Sequence, residues 1–155
     1  ERKLDLAFLM GPVSEFSVEN VPLPSFDLHW YRSVSNPQTD LSVVPVISYA
    51  RMTRPYRELM SELSRRIGPS VRVFASASLS ASLKMIAAGI AVGPYPRALA
   101  RDFLKSEQIV EFDAGFRPQP LQFTASYLSE PRSFLVENSA EIAQSVALNW
   151  DKSQP

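Results

Sequence analysis

One histidine, a run of alternating serines and a pair of closely spaced carboxylates are the groups in this chain that could run a reaction. His29 is the sole histidine, so a Ser–His or metal-bound mechanism would have to use it. It lies in mid-strand beside Trp30 with no partner pattern around it, and the structural reading is preferred. Ser76, Ser78, Ser80 and Ser82 resemble a nucleophile cluster, but no G-x-S-x-G turn frames them. Ser78 reads instead as the cap of a helix whose polar face carries Ser80 and Ser82. The functional alternative is that this helix start and its hydroxyls meet an anionic or polar ligand. Glu111 and Asp113 are spaced like a metal pair, yet a solvated strand edge accounts for them. Arg51, Arg54, Arg57, Arg65 and Arg66 form the densest basic group. Arg65 and Arg66 suit the negative end of a helix, and Arg51 or Arg54 could reach a ligand carboxylate. There is no glycine-rich phosphate loop and no H-E-x-x-H. These absences predict a protein that is not an enzyme and needs no metal or cofactor.

Composition narrows the classes further. The chain has 155 residues, 45% hydrophobic and 21% charged, enough for one domain or two small lobes with a buried core. Sixteen basic residues balance sixteen acidic ones. That balance argues against nucleic-acid binding by this segment itself, because phosphate contacts need clustered Lys and Arg. The lack of cysteine excludes a disulfide scaffold, thiolate metal sites and a cysteine nucleophile. No apolar run approaches the roughly 20 residues that span a bilayer, and no signal peptide is visible.

The candidate groups are positioned by an alternation of strands and helices. Leu4–Met10 reads as a strand covered on both faces and ended by Gly11-Pro12. Residues 13–26 read as loop. Asp27–Val34 predicts a strand with Leu28, Trp30 and Arg32 on one face and His29, Tyr31 and Ser33 on the other. Val43–Tyr49 predicts a buried strand. A helix follows, with Pro55 near its start, Tyr56, Leu59, Met60, Leu63 and Ile67 on its inner face, and Gly68-Pro69 at its end. Val71–Ala75 is a strand. The next helix begins at Ser78, buries Leu79, Leu83, Ile86 and Ala87, and stops on Gly89. Ile90–Gly93 predicts a strand ending in a proline-bounded loop, Gly93-Pro94-Tyr95-Pro96. A short helix at about 96–104, a strand at Ile109–Phe112, an alternating strand at Leu121–Leu128 and a last helix follow. That helix is expected to turn Ile142, Ala143, Val146, Ala147 and Trp150 inward. The pattern is that of an α/β fold with helices on both faces of a mixed sheet. Ligands in such folds bind beyond the carboxyl ends of the strands.

The order of the segments KLDLAFLMGP, VPVISYAR, SLSASLKMIAAGIAVGPYPRAL and LQFTASYL resembles the effector-binding domain of LysR-type transcriptional regulators. MIAAGIAVGPYP is the most specific stretch, with Ala91 where many members carry a second glycine. The resemblance implies a fold like a type 2 periplasmic binding protein: two Rossmann-like α/β lobes joined by two crossing strands, Asp27–Val34 and Leu121–Leu128. Residues 1–26 and 129–155 would form lobe I, and residues 27–128 lobe II with the crossing strands. Lobe I is expected to be incomplete, since the family carries a βαβα segment and a winged helix-turn-helix before the first of these segments.

The implied function is binding. A small effector enters an interlobe cleft and shifts the lobe arrangement that it prefers, and in the intact regulator this alters how paired DNA-binding domains meet DNA. The site residues implied are Met10 and Gly11 in lobe I, Pro45, Val46, Ile47 and Ser48 on a lobe II strand, and Gly93, Pro94 and Tyr95 at the opposite lip. Ser76 and Ser78 are weaker candidates. The thioether of Met10 and the side chains of Val46 and Ile47 lean towards an aromatic or partly apolar effector, a carboxylate remaining plausible. The resemblance further implies a cytoplasmic homo-oligomer, dimer or tetramer, that touches DNA only through the preceding domain and does not touch membrane. Self-association, or loss of order around residues 1–26, is expected because helix 79–88 and the sheet edge at Leu4–Met10 would be uncovered. The alternatives are a transport-type solute-binding protein and an α/β enzyme.

Overall fold

The computed structural model describes residues 4–152. They form β1 (Leu6–Met10), β2 (Val18–Pro22), β3 (Leu28–Ser33), β4 (Val46–Ser48), α1 (Arg54–Arg66), β5 (Val73–Ala75), α2 (Leu79–Ala87), β6 (Gly93–Pro96), α3 (Arg97–Lys105), β7 (Ile109–Glu111), β8 (Phe123–Leu128) and α4 (Phe134–Lys152). Contacts divide the chain into two compact units. One comprises the residues up to Phe26 together with those from Leu121 onward; the other is Asp27–Pro120. The chain therefore passes from one unit to the other twice, after Phe26 and after Pro120.

The first unit is an antiparallel sheet in the order β1-β8-β2. β8 is its central strand, so residues 121–128, expected with the second lobe, are hydrogen-bonded into the first. β2 is also a correction, because residues 13–26 read as loop. Its half-buried residues are Val18, Asn20 and Val21, which breaks the alternation that marks a strand. The Asn20 side chain accepts from Val13 N–H at 2.9 Å and from Ser126 Oγ at 2.8 Å. Thr124 extends this buried polar strip and donates to the Gly11 carbonyl at 3.0 Å. α4 packs on the other sheet face, where Phe26 meets both Phe123 and Trp150. Its buried residues are Val136 and Ala140, whereas Ile142, Val146 and Trp150 are exposed. The expected inner face of α4 is thus rotated about the helix axis.

The second unit holds the larger core. β6, β3 and β7 form one sheet in that order, and β4 pairs with β5 in parallel. Val92, just before β6, bridges to Val46 in parallel and joins the two edge to edge. α1 packs on the face where Leu59 and Leu63 meet Trp30, Val44, Val46 and Val92. α2 lies against the opposite face, where Ser33 Oγ donates to the Ala87 carbonyl at 2.8 Å. The expected two faces of β3 are therefore the observed ones. Thr53 and Ser78 start α1 and α2 by accepting from N–H groups three residues on, and Gly89 ends α2 at φ +73°, Ser78 and Gly89 acting as expected.

β6 departs from expectation. The stretch Gly93-Pro94-Tyr95-Pro96, expected as a proline-bounded loop, is an antiparallel strand on β3, and all four residues are buried. Two prolines are tolerated because β4 has ended at Ser48 and no strand there requires their missing N–H groups. The Tyr49 side chain occupies that flank and donates to the Pro94 carbonyl at 3.1 Å.

Candidate functional site

The residues singled out by the sequence fall into two groups. In the second unit, Val46, Ile47 and Ser48 lie on β4 with Pro45 just before it, Ser76 and Ser78 follow β5, and Gly93, Pro94 and Tyr95 lie on β6, which adjoins β4 through the Val46–Val92 bridge. In the first unit, Met10 ends β1 with its side chain exposed, and Gly11 follows at φ +84°. Gly11 N–H donates to the Gln122 carbonyl at 2.7 Å, so its left-handed turn is held at both peptide groups.

Several second-unit candidates are buried parts of the scaffold. Val46 belongs to the core around Trp30, and the Ile47 backbone bonds to the Val92 carbonyl at 2.7 Å. Both side chains are sealed, so the apolar surface expected from them is turned inward. Tyr95 is 0% exposed: its ring lies 5.4 Å from that of Tyr49, and its hydroxyl points to the Ile47 carbonyl at 3.5 Å. Tyr49 and Tyr95 thereby clamp the end of β4 to β6. Burial pushes the Tyr95 hydroxyl up to about 12 and raises that of Tyr49 further, with Tyr95 adding to the effect. Both stay neutral hydrogen-bond donors at ordinary pH.

The polar candidates differ from one another. Ser76 N–H donates to the Ser48 carbonyl at 3.1 Å, and Ser76 Oγ donates to the Ser78 carbonyl at 3.0 Å. Ser78 Oγ accepts from Ala81 N–H at 3.2 Å, and Ser82 Oγ returns to the Ser78 carbonyl. These serines build the entry to α2. Ser48 stands apart, because its hydroxyl is buried and lacks a hydrogen-bond partner. An unsatisfied buried hydroxyl costs about 1–3 kcal/mol. Ser48→Ala is therefore expected to leave the unliganded chain equally stable or up to about 1 kcal/mol more stable. A loss exceeding about 1 kcal/mol in urea denaturation would show that the hydroxyl has a structural partner.

The remaining reactive groups are engaged elsewhere. His29 Nδ1 bonds to Glu111 Oε1 at 2.7 Å, and Arg97 approaches the other carboxylate oxygen at 4.0 Å. Asp113 accepts from Gly115 N–H at 2.8 Å. Arg54 pairs with Glu58, Arg65 and Arg66 share Glu62, and Arg66 also lies over the Phe116 ring. Among the described residues no group of three or more His, Asp or Glu side chains is placed to hold a metal, and no helix is long and apolar enough to cross a membrane. The Tyr49–Tyr95 clamp is what sequence reasoning missed. The signal was present in the two tyrosines that follow VIS and GP, but only the pairing of the strands brings them together.

Known structures share this architecture. The full-length hypochlorite-specific LysR-type regulator HypT from Salmonella typhimurium is 15% identical, and the match covers 95% of this chain and 53% of that one with a TM-score of 0.75. The regulatory domain of MetR from N. meningitidis is 15% identical, with 91% of this chain and 69% of that one covered and a TM-score of 0.64. LysG from Corynebacterium glutamicum, with bound effector Arg, is 18% identical over 91% of this chain and 51% of its own, at 0.65. The chain thus spans about half the length of the full-length regulators it matches. No curated protein sequence matches it. Over residues 1–147 it matches the family described as the LysR substrate binding domain, and to that family the chain belongs.

Proposed function

We propose that this chain is the effector-sensing part of a LysR-type transcription regulator. The observation that carries the reading is the family match over residues 1–147. The effector is a small molecule received at the carboxyl ends of the second unit's strands, around Ser48, Ser76 and the start of α2. The effector proposed is polar rather than aromatic or partly apolar. Val46, Ile47 and Tyr95 are sealed inside the second unit, so they offer no apolar or aromatic surface. Serine hydroxyls and the positive end of a helix favour a polar molecule carrying a carboxylate. In this reading DNA is contacted through another domain, the regulator is a cytoplasmic homo-oligomer, and no reaction is catalysed.

The test is a thermal-shift and calorimetry screen of small carboxylates and amino acids. Binding to the native state must raise the melting temperature, by about 2.7 kcal/mol of stabilisation at a hundredfold excess over Kd. Ser48→Ala is expected to weaken the hit without lowering the melting temperature of the free chain. A hit that is unaffected by this substitution, or that is turned over to product, would overturn the proposal.

A further inference from the structure

α2 carries one residue that its pattern does not explain. Ser82, expected on the polar face of this helix, is 0% exposed and is buried together with Leu83 and Ile86. A buried hydroxyl in an apolar setting is costly unless it is hydrogen-bonded, so its partners matter. One partner is local. Ser82 Oγ donates to the Ser78 carbonyl at 3.0 Å, the usual bond of a helical serine to the turn before it. The other is distant along the chain. The Ser82 hydroxyl also bonds to that of Tyr95, which opposes the upward push of burial on the tyrosine.

Tyr95 therefore stands where three elements meet. It lies on β6, and its hydroxyl is shared between the Ile47 carbonyl of β4, at 3.5 Å, and Ser82 of α2. A second path joins the same two elements through serines. Ser76 N–H donates to the Ser48 carbonyl at 3.1 Å, and Ser76 Oγ donates to the Ser78 carbonyl at 3.0 Å. The Ser78 carbonyl is thus held by Ser76 Oγ, by Ser82 Oγ and by Ser82 N–H. The circuit runs Ile47, Ser48, Ser76, Ser78, Ser82, Tyr95 and back to Ile47. It contains Ser48, whose own buried hydroxyl lacks a partner.

We infer that Tyr95 is a positioning residue: without touching the effector, its hydroxyl fixes the start of α2 relative to Ser48, through Ser82 on one side and Ile47 on the other. What is positioned rests on the effector reading above, whereas the tether itself is a property of the free chain. Tyr95→Phe keeps the ring against Tyr49 and removes only the hydroxyl.

Two measurements on the 155-residue chain test this. The first is amide hydrogen exchange without ligand. In Tyr95→Phe the Ala81 and Ser82 amides, which bond to Ser78, should exchange about tenfold faster, while α1 amides keep the parent rates. The second is a titration with acetate, a bare carboxylate, followed by the shifts of the same amides. Tyr95→Phe and Ser82→Ala should each raise the acetate Kd about tenfold, and the double variant no further, because both remove one link. Tyr49→Phe releases the Pro94 carbonyl but not Ser82. It should lower the melting temperature and leave both readings at the parent values, which separates positioning from general loss of stability. Unchanged Ala81 and Ser82 exchange in Tyr95→Phe, an equal acceleration in Tyr49→Phe, or multiplying effects in the double variant would each overturn the inference. If acetate shifts no α2 amide of the parent, the carboxylate reading fails, and the exchange rates alone decide the tether.

Discussion

Gly93→Ala is expected to destabilise the second unit by about 3 kcal/mol or more, lowering the melting temperature by roughly 10 °C. A Cβ at this position would lie 2.6 Å from the Ile47 carbonyl oxygen, 2.9 Å from Tyr95 Cε2 and 3.0 Å from Ile47 Cγ2. None of these can step aside cheaply. The Ile47 carbonyl is backbone in a buried strand, and the Tyr95 ring is held by its contact with Tyr49. The steric cost falls on the junction of β4 with β6, so the Tyr49–Pro94 bond should loosen with it. Gly115→Ala is the comparison: it has φ +78° with no atom within 4 Å of an added Cβ. Its cost should be the smaller, about 1–2 kcal/mol, from left-handed backbone alone. Differential scanning calorimetry on both variants checks the order. A Gly93→Ala melting temperature within about 2 °C of the parent would mean that the two strands can separate without cost.

Trp30→Ala should have the largest effect of any side-chain truncation, about 3–5 kcal/mol. Trp30 is 2% exposed and packs among Leu41, Val44, Val46, Leu59, Leu63 and Val92. Its ring lies 6.0 Å from that of Phe112 and 5.4 Å from that of Phe116, in the tilted and edge-on arrangements that aromatic pairs favour. The indole N–H donates to the Phe116 carbonyl at 2.9 Å, fastening the segment after β7 to the core. Trp30→Phe keeps most of the volume but releases that carbonyl, and should cost about 1–2 kcal/mol. Urea denaturation followed by far-UV circular dichroism gives both numbers, since each variant removes the core fluorophore and leaves Trp150 as the sole tryptophan. Equal losses for the alanine and phenylalanine variants would assign the whole effect to the hydrogen bond and contradict the packing account.

The legible part of this fold was written in short-range chemistry. The Ser78 cap, Pro55 near the start of α1, the apolar spacing of Leu59 and Leu63, and the Gly89 stop follow from neighbours a few residues apart, and the helices stand where that chemistry puts them. The alternation in β3 was equally readable, since one face meets the core under α1 and the other meets α2. β2 was hidden because its half-buried residues do not alternate and include Asn20, whose partners, Val13 and Ser126, lie at very different distances along the chain. α4 was misjudged about its axis because apolar residues occupy more of its circumference than a three-stranded sheet can cover.

The candidate site divides along the same line. The order of segments sufficed to identify a LysR substrate binding domain, because motif order depends on the chain alone. Which of those motif residues face outward did not follow from it. Periodicity could not reveal that Gly93-Pro94-Tyr95-Pro96 would bury itself on β3, nor that the Tyr95 hydroxyl would turn to the Ile47 carbonyl. It could not show that Ser48 would keep a buried hydroxyl without a partner. Those outcomes depend on strands from distant parts of the chain approaching within a few ångströms. Composition, capping and segment order determined the family and the elements, because they act locally; the packing of β4 against β6 decided which residues a ligand can reach, because burial is a property of the assembled unit.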